Sequence, residues 1–493
     1  MTTSKFGVDA VSEIRFVCIS DTHFGAENSV LSHVRSGESK VDPLTHGPVL
    51  EALVACLGEL VNSPRGRAKP VLILNGDILE MALAQDNVAA MVFDNFIELA
   101  FGGSEPIFDR TIVYVPGNHD HHVWETARER QYAEYVSTVT GQCEIEPPWH
   151  VTRLFPRDDA PPPESELLTA LVNRRTGGDA VVRVVYPNFA FESPDRARIA
   201  IFHHGHFVEP LYRLMSLARS ALFPNQPIGR EIWDWEGDNF AWIDFFWSTL
   251  GRSGEAGEDV GLIYDMLQDE RALGALCGNL GGALGNRVPS AVRPAARCAA
   301  SLALRRLARL ARSRERSNPN VLLSASADAG LDSYLEEPLL RQLNRERTSG
   351  ADRKVHFVFG HTHKPFEATR QVRGFGQAVS IVNTGGWVVD TEIPAALQGA
   401  SVVVVDEECH VETLRIYNQA NGAADYRVQF APITDATPSP LRLELEDRLS
   451  LEDPPWSDLS SSLAEAVGQR HELLPRLVRS GLQLAGASER QNT

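Results

Sequence analysis

The chain has 493 residues, 43% of them apolar, which is enough for one large domain with insertions or for two to three ordinary domains around a substantial core. Its 65 acidic against 47 basic residues leave a formal charge of -18, which repels a polyanion unless a local basic surface overcomes it and so disfavours broad nucleic-acid binding. No apolar run reaches the length needed to span a bilayer, and Met1 to Ala10 lacks the charged-then-apolar pattern of a signal peptide, so a soluble cytoplasmic protein is expected.

In chain order, short β-branched runs at Glu13 to Ser20, Val71 to Leu74 and Thr111 to Val115 read as strands, each ending in polar residues. Helical spacing at Pro48 to Val61 and Asn87 to Ala100 fills the gaps, a pattern that predicts a buried, largely parallel sheet. A Pro-rich charged loop at Asp158 to Glu166 precedes further strands at Ala180 to Tyr186 and Arg198 to Phe202. The span from about 205 to 350 lacks strand signals and shows helical spacing at Leu211 to Phe223 and Val260 to Cys277, so it reads as a helical insertion. Runs at Lys354 to Phe359, Ala378 to Val382, Ser401 to Val405 and His410 to Tyr417 lie too close for crossover helices and predict antiparallel strands. The resulting organisation is a core in two parts, 13–204 and 351–431, an insertion or cap at 205–350, and a peripheral tail at 432–493 whose helix over Leu463 to Leu484 breaks near Pro475. The six cysteines (Cys18, Cys56, Cys143, Cys277, Cys298, Cys409) have no paired spacing and suit reduced, buried thiols.

Five motifs stand at or beside the ends of apolar runs: Asp21-Thr22-His23, Gly76-Asp77, Gly117-Asn118-His119-Asp120, His204-Gly205-His206 and Gly360-His361-Thr362-His363. Side chains at sheet ends can converge on one crevice from distant parts of a chain. Each motif alone reads equally well as a turn, a cap or a satisfied histidine, but in concert they offer carboxylates, an amide oxygen and imidazoles. That set suits Mn, Fe, Zn or Ni better than Ca or Mg, which prefer oxygen-rich shells.

With these motifs in this order, the sequence resembles the calcineurin-like metallophosphoesterase family. The resemblance implies an α/β fold, a four-layer mixed β-sandwich flanked by helices, here with a large helical insertion. It implies two divalent metal ions, one held by Asp21, His23, Asp77 and His363 and the other by Asp77, Asn118, His204 and His361, with Asp77 as the bridge. It also implies hydrolysis of a phosphate monoester or phosphodiester by a metal-bridging hydroxide, because paired cations activate water and neutralise phosphate oxygens together. His119 is then the proton donor to the leaving oxygen, with Asp120 fixing its tautomer. The segment Val382 to Trp387 resembles the strand and turn that commonly follow the last motif.

If the strand before Gly205 alternates, His203 and His204 face opposite sides and only one can face the metals; the resemblance implies His204, which precedes Gly205-His206 as in the family's frequent HGH or HGD form. His121, His122 and His206 either line the pocket or have ordinary surface or core roles, and Asn75 reads as a backbone partner or an orienting residue. In the insertion, Trp233, Trp235, Phe240, Trp242, Phe245, Phe246 and Trp247 favour internal packing over a ligand surface. Arg293 to Arg316 holds eight arginines and one acidic residue at amphipathic spacing. It reads as a face paired with the protein's own carboxylates, or as a contact for a phosphorylated or lipid substrate, a membrane surface or nucleic acid. The alternatives to a phosphoesterase of small substrates are a nuclease-type phosphodiesterase using that segment and a noncatalytic metal-binding scaffold.

Overall fold

The computed structural model describes residues 13–35, 37–62, 68–103, 105–141, 144–223, 225–226, 228–249, 315, 320–347, 349–419, 426–432 and 437–491. Apart from Glu315, the Arg293 to Arg316 segment lies outside the described residues, as do the 260–277 run and Cys143, Cys277 and Cys298. Cys18, Cys56 and Cys409 are free and buried. No described helix is long and apolar enough to cross a membrane.

The first three strands, β1 (Ile14–Ile19), β2 (Val71–Leu74) and β3 (Thr111–Tyr114), run parallel with β4 (Val181–Val184). A second sheet begins with β5 (Asn188–Glu192) and β6 (Arg198–His203) and continues with β7 (Lys354–Phe359), β8 (Phe366–Arg370) and β9 (Val379–Asn383). The chain then returns to the first sheet through β10 (Gly399–Asp406), β11 (Val411–Asn418) and β12 (Gln429–Phe430). The orders are β12-β11-β10-β1-β2-β3-β4 and β5-β6-β7-β9-β8.

Strand alternation builds the layers. Phe16 and Cys18 of β1 face the second sheet, together with Ile73, Ala200, Phe202, Val358 and Val382. Val17 and Ile19 point the other way, into helices α1 (Pro48–Val61), α2 (Asp86–Phe101) and others on the outer face. The outer face of the second sheet, with Ile199, Ile201, Phe357 and Ile381, is covered by Trp235, Tyr334, Leu335 and Leu339 of the insertion. Helix, sheet, sheet and helix thus form four layers, and strands buried on both faces are apolar at nearly every position.

Two expectations give way. The C-terminal strands are not uniformly antiparallel: β7 and β9 run parallel, and β7 is parallel to β6 as well. The short connections permit this because β8, between β7 and β9 in the chain, pairs antiparallel at the outer edge and carries the chain back, doing the work of a crossover helix. Nor is the segment beyond 432 peripheral. Its long helix (Trp456–Gln491) continues through Pro475 and buries Trp456, Leu459, Leu463 and Val467 in the same cluster as Leu53, Leu57 and Leu60 of α1. Arg470 of that helix, buried, donates to the carbonyl oxygens of Ser29 (2.9 Å) and Ser32 (2.6 Å), next to the loop that carries the first motif.

Between β6 and β7 the described residues form helices, including Leu214–Leu222, Ile232–Asp244 and Ala325–Tyr334. Of the aromatic group there, Trp235 and Trp247 are buried, whereas Trp233 lies under the Arg345 guanidinium and Phe245 is 55% exposed, so internal packing accounts for only part of it.

Candidate metal centre

All five motifs sit just past the carboxyl ends of parallel strands: β1, β2 and β3 in one sheet, β6 and β7 in the other. The loops that follow are sharply bent. Asp21, His23, Asp77, His361 and His363 all have positive φ, between 45° and 70°, a region that non-glycine residues occupy only when their surroundings force it. The forcing contacts are visible. Asp21 N–H donates to Gly76 O (2.9 Å), His23 N–H to Asp77 O (2.9 Å), and His361 N–H to Asp21 Oδ1 (2.8 Å), so the three loops hold one another. Glycine at 360 permits the approach, since a Cβ there would lie 1.9 Å from Asp21 Oδ2.

Alternation along β6 decides between the adjacent histidines. His203 shares the parity of Ile199 and Ile201 and packs its ring 4.5 Å from that of Tyr334, under the insertion. His204 shares the parity of Ala200 and Phe202, and its Nε2 lies 3.2 Å from Asp77 Oδ2, 3.1 Å from Asn118 Oδ1 and 3.1 Å from His361 Nδ1. Asn75 donates to His203 O (3.1 Å), a backbone bond that fixes the end of β6.

The expected residues come together in two adjoining groups. Asp21, His23 and His363 present ligand atoms within 4.8 Å of one another, and so do Asp77, His204 and His361. Asp77 lies between them, with Oδ2 3.2 Å from His204 and 3.7 Å from His23. All six side chains are buried.

The protons on these imidazoles show what the groups can hold. Carboxylates only accept, so each histidine that pairs with one carries its proton on that nitrogen. His23 Nδ1 hydrogen-bonds Glu80 (2.8 Å) and His363 Nδ1 hydrogen-bonds Asp390 (2.6 Å), while Glu209 Oε1 lies 3.0 Å from His361 Nε2 as an ion-pair contact without hydrogen-bond geometry. His23 Nε2 and His363 Nε2 face each other across 3.2 Å, with Asp21 Oδ1 3.5 Å from the latter. Carboxylate-backed imidazoles that converge on one point are the usual dress of metal ligands. Charge points the same way. Burial alone would lower the His204 imidazole, but the Asp77 and Asp21 carboxylates outweigh it and push it up to about 9. The donor set therefore fits divalent cations.

The calcineurin-like phosphoesterase family model matches residues 14–238. Over this stretch the chain is similar to that family. The family implies metal-dependent hydrolysis of phosphoesters, and the buried histidine and aspartate groups fit it. No curated protein matches the chain. The family match ends inside the insertion, and β7 brings the last motif, Gly360 to His363, back beside the other four.

Asp120 has a different role from the expected one. Its Oδ1 accepts from Gly117 N–H (2.6 Å) and its Oδ2 from Ile78 N–H (2.7 Å) and Tyr114 Oη (2.5 Å), so it braces the two loops rather than His119. His119 Nδ1 pairs instead with Glu80 Oε1 (2.8 Å). Glu80 thereby orients both His119 and His23, whose protons and charge hold its carboxyl well below the usual range despite burial. Sequence reasoning missed Glu80, Asp390 and Glu209. Each follows two apolar residues (Ile78-Leu79, Val388-Val389, Phe207-Val208), and an acid ending an apolar run is the signal that was available.

His121, His122 and His206 belong to a seam between core and insertion. His121 Nε2 pairs with Glu236 (2.8 Å), Glu236 also accepts from Tyr186 Oη (2.8 Å), Tyr186 meets His206 Nε2 (3.2 Å), and Asp244 lies 3.5 Å from His121 and 3.2 Å from His122. Burial opposes the charge on His121, but Glu236 and Asp244 push its imidazole up to about 9 from 6.5. A group raised on folding stabilises fully below its unfolded value and loses that contribution as pH rises through the folded one. Thermal stability should therefore fall between pH 6.5 and about 9, by at most about 3 kcal/mol. Melting of the full chain across that range checks this, with Glu236→Gln flattening the decline.

Proposed function

We propose that the chain hydrolyses a phosphate monoester or phosphodiester with a dinuclear metal centre. The observation that carries this reading is the arrangement of imidazole nitrogens on both sides of Asp77, three of the four histidines backed by a carboxylate. Asp21, His23, Asp77 and His363 would hold one cation, and Asp77, Asn118, His204 and His361 the other. Bound there, Mn, Fe, Zn or Ni would supply an activated water and positive charge for the phosphate oxygens.

The chain's own residues supply the rest. Asp77 presents one carboxylate oxygen to both groups and uses the other to accept from His119 N–H (2.8 Å), which couples the bridge to the proton donor. With Nδ1 held by Glu80, His119 would pass the Nε2 proton to the leaving oxygen as the P–O bond breaks, and the Glu80 carboxylate would stabilise the imidazolium before transfer. Asp120 and Tyr114 keep the Gly117 to His119 turn against the Asp77 loop, so that donor and bridge stay in register.

The test is removal of metal with a chelator, followed by readdition of Mn, Fe, Zn or Ni against p-nitrophenyl phosphate, bis(p-nitrophenyl) phosphate and pyrophosphate. Turnover should vanish on removal and return after two equivalents of at least one metal. A folded chain that binds no metal, or that binds two and hydrolyses none of these compounds, overturns the assignment.

A further inference from the structure

Two of the carboxylates that back the site histidines come from the core: Glu80 follows β2, and Asp390 follows β9. The third, Glu209, comes from the insertion, directly after its first short turn, His206–Val208. Its side chain is 7% exposed, with Oε1 3.0 Å from His361 Nε2. Its backbone is tied on both sides, as Glu209 N–H donates to His206 O (3.1 Å) and Tyr212 N–H donates to Glu209 O (3.2 Å). Tyr212, on the same turn, sets its ring edge-on to that of His361 at 5.1 Å.

The returning end of the insertion clamps this turn. Helix Ala325–Tyr334 presses Gly330 against it so closely that a Cβ there would lie 1.9 Å from the carbonyl oxygen of Val208. Lys364, directly after His363, donates to Glu315 O (2.6 Å) and Val321 O (2.7 Å) and so pins the far end beside the same site. The docked ends of the insertion thus press the turn that carries Glu209 toward His361.

We propose that Glu209 is a positioning residue through which docking of the insertion sets retention of the cation on the His361 side, an inference that rests on the dinuclear reading above. With its carboxylate 3.0 Å from His361 Nε2, Glu209 holds the ring by charge and leaves Nδ1 facing His204, a weaker form of the service Glu80 and Asp390 perform for His23 and His363 from the core. A shifted insertion would loosen one cation and spare the other. Loss of such a partner commonly weakens metal affinity about 10 to 100-fold.

The experiment titrates the full chain with Mn against a competing chelator and counts bound metal by elemental analysis, with the visible spectrum of the Co-loaded protein as a second readout. Wild type should hold two equivalents, and Glu209→Gln should bind one of them about 10 to 100-fold more weakly. Glu209→Asp keeps the charge but withdraws the oxygen by one methylene, and should weaken the same equivalent. In a His361→Ala background, Glu209→Gln should change nothing further, because it acts through that ring. Gly330→Ala, which touches no candidate ligand but displaces Val208, should weaken the same equivalent as Glu209→Gln. Retention of both cations at wild-type affinity in either folded Glu209 variant overturns the proposal, and so does an unaltered Gly330→Ala. Wild type failing to bind two cations would instead sink the dinuclear reading itself.

Discussion

Asp77→Asn should give a folded chain that no longer responds to metal. The substitution keeps shape and removes charge. The oxygen that accepts from His119 N–H can be retained, while the one 3.2 Å from His204 and 3.7 Å from His23 becomes a neutral donor aimed at imidazole nitrogens that ought to be ligands. Wild type loaded with excess Mn should melt higher than its metal-free form, since a ligand at about 1,000 times its dissociation constant adds about 4 kcal/mol. In Asp77→Asn that difference should disappear along with bound metal. Turnover should fall by about 1,000-fold or more, because the charge stabilisation that paired cations provide is worth several kcal/mol and each 1.36 kcal/mol is tenfold in rate. Calorimetry, metal analysis and p-nitrophenyl ester hydrolysis on one preparation check all three. A variant that keeps both metals and its turnover would remove Asp77 from the bridge.

Much of this site was legible in the sequence because its ligands sit at fixed, short distances from strand ends. β-branched runs locate the strands, parallel strands end on one side, and the polar residues after Ile19, Leu74, Tyr114, His203 and Phe359 must then meet. Alternation required that only one of His203 and His204 face the site, since a period of two leaves no freedom at the end of a strand buried on both faces, and the following Gly205-His206 pointed to His204. What sequence could not supply is what the irregular backbone decides. Glu80 reaches His23 and His119 only because Asp77 and His23 turn through left-handed conformations, and no propensity predicts such a turn at a non-glycine residue. Asp120 looked like the partner of its neighbour His119, yet adjacency in a loop places two side chains in different directions, and the carboxylate turned back to brace the Gly117 and Ile78 amides.

The same distinction explains the misread tail and strands. Composition made the segment beyond 432 look detached, but Trp456, Leu459, Leu463 and Val467 recur at helical spacing and fill the face of α1. Short connections after β7 pointed to antiparallel pairing, and each successive pair does turn back. Strand order, which no local signal encodes, then placed β9 between β8 and β7 and made β7 and β9 parallel to each other and to β6.

His119→Ala should slow alkyl phosphate esters by about 100 to 10,000-fold while slowing p-nitrophenyl esters much less. An alkoxide cannot leave without a proton, whereas p-nitrophenolate can, so a donor matters in proportion to the basicity of the oxygen it serves. Bound metal should be unchanged, since His119 belongs to neither of the two groups around Asp77 and hydrogen-bonds that carboxylate through its backbone N–H. Glu80→Gln separates orientation from donation. It weakens the hold on both His119 Nδ1 and His23 Nδ1, so it should slow alkyl esters more than p-nitrophenyl esters and also weaken metal binding by about 10 to 100-fold. Asp120→Asn, by contrast, should lower the melting temperature and leave the ratio of alkyl to p-nitrophenyl rates near wild type, because its oxygens brace backbone amides and Tyr114. Rates for esters of graded leaving-group basicity, measured alongside metal content, discriminate these roles. Equal slowing of all esters by His119→Ala would assign that ring to binding or packing and leave the leaving oxygen to be protonated from another source.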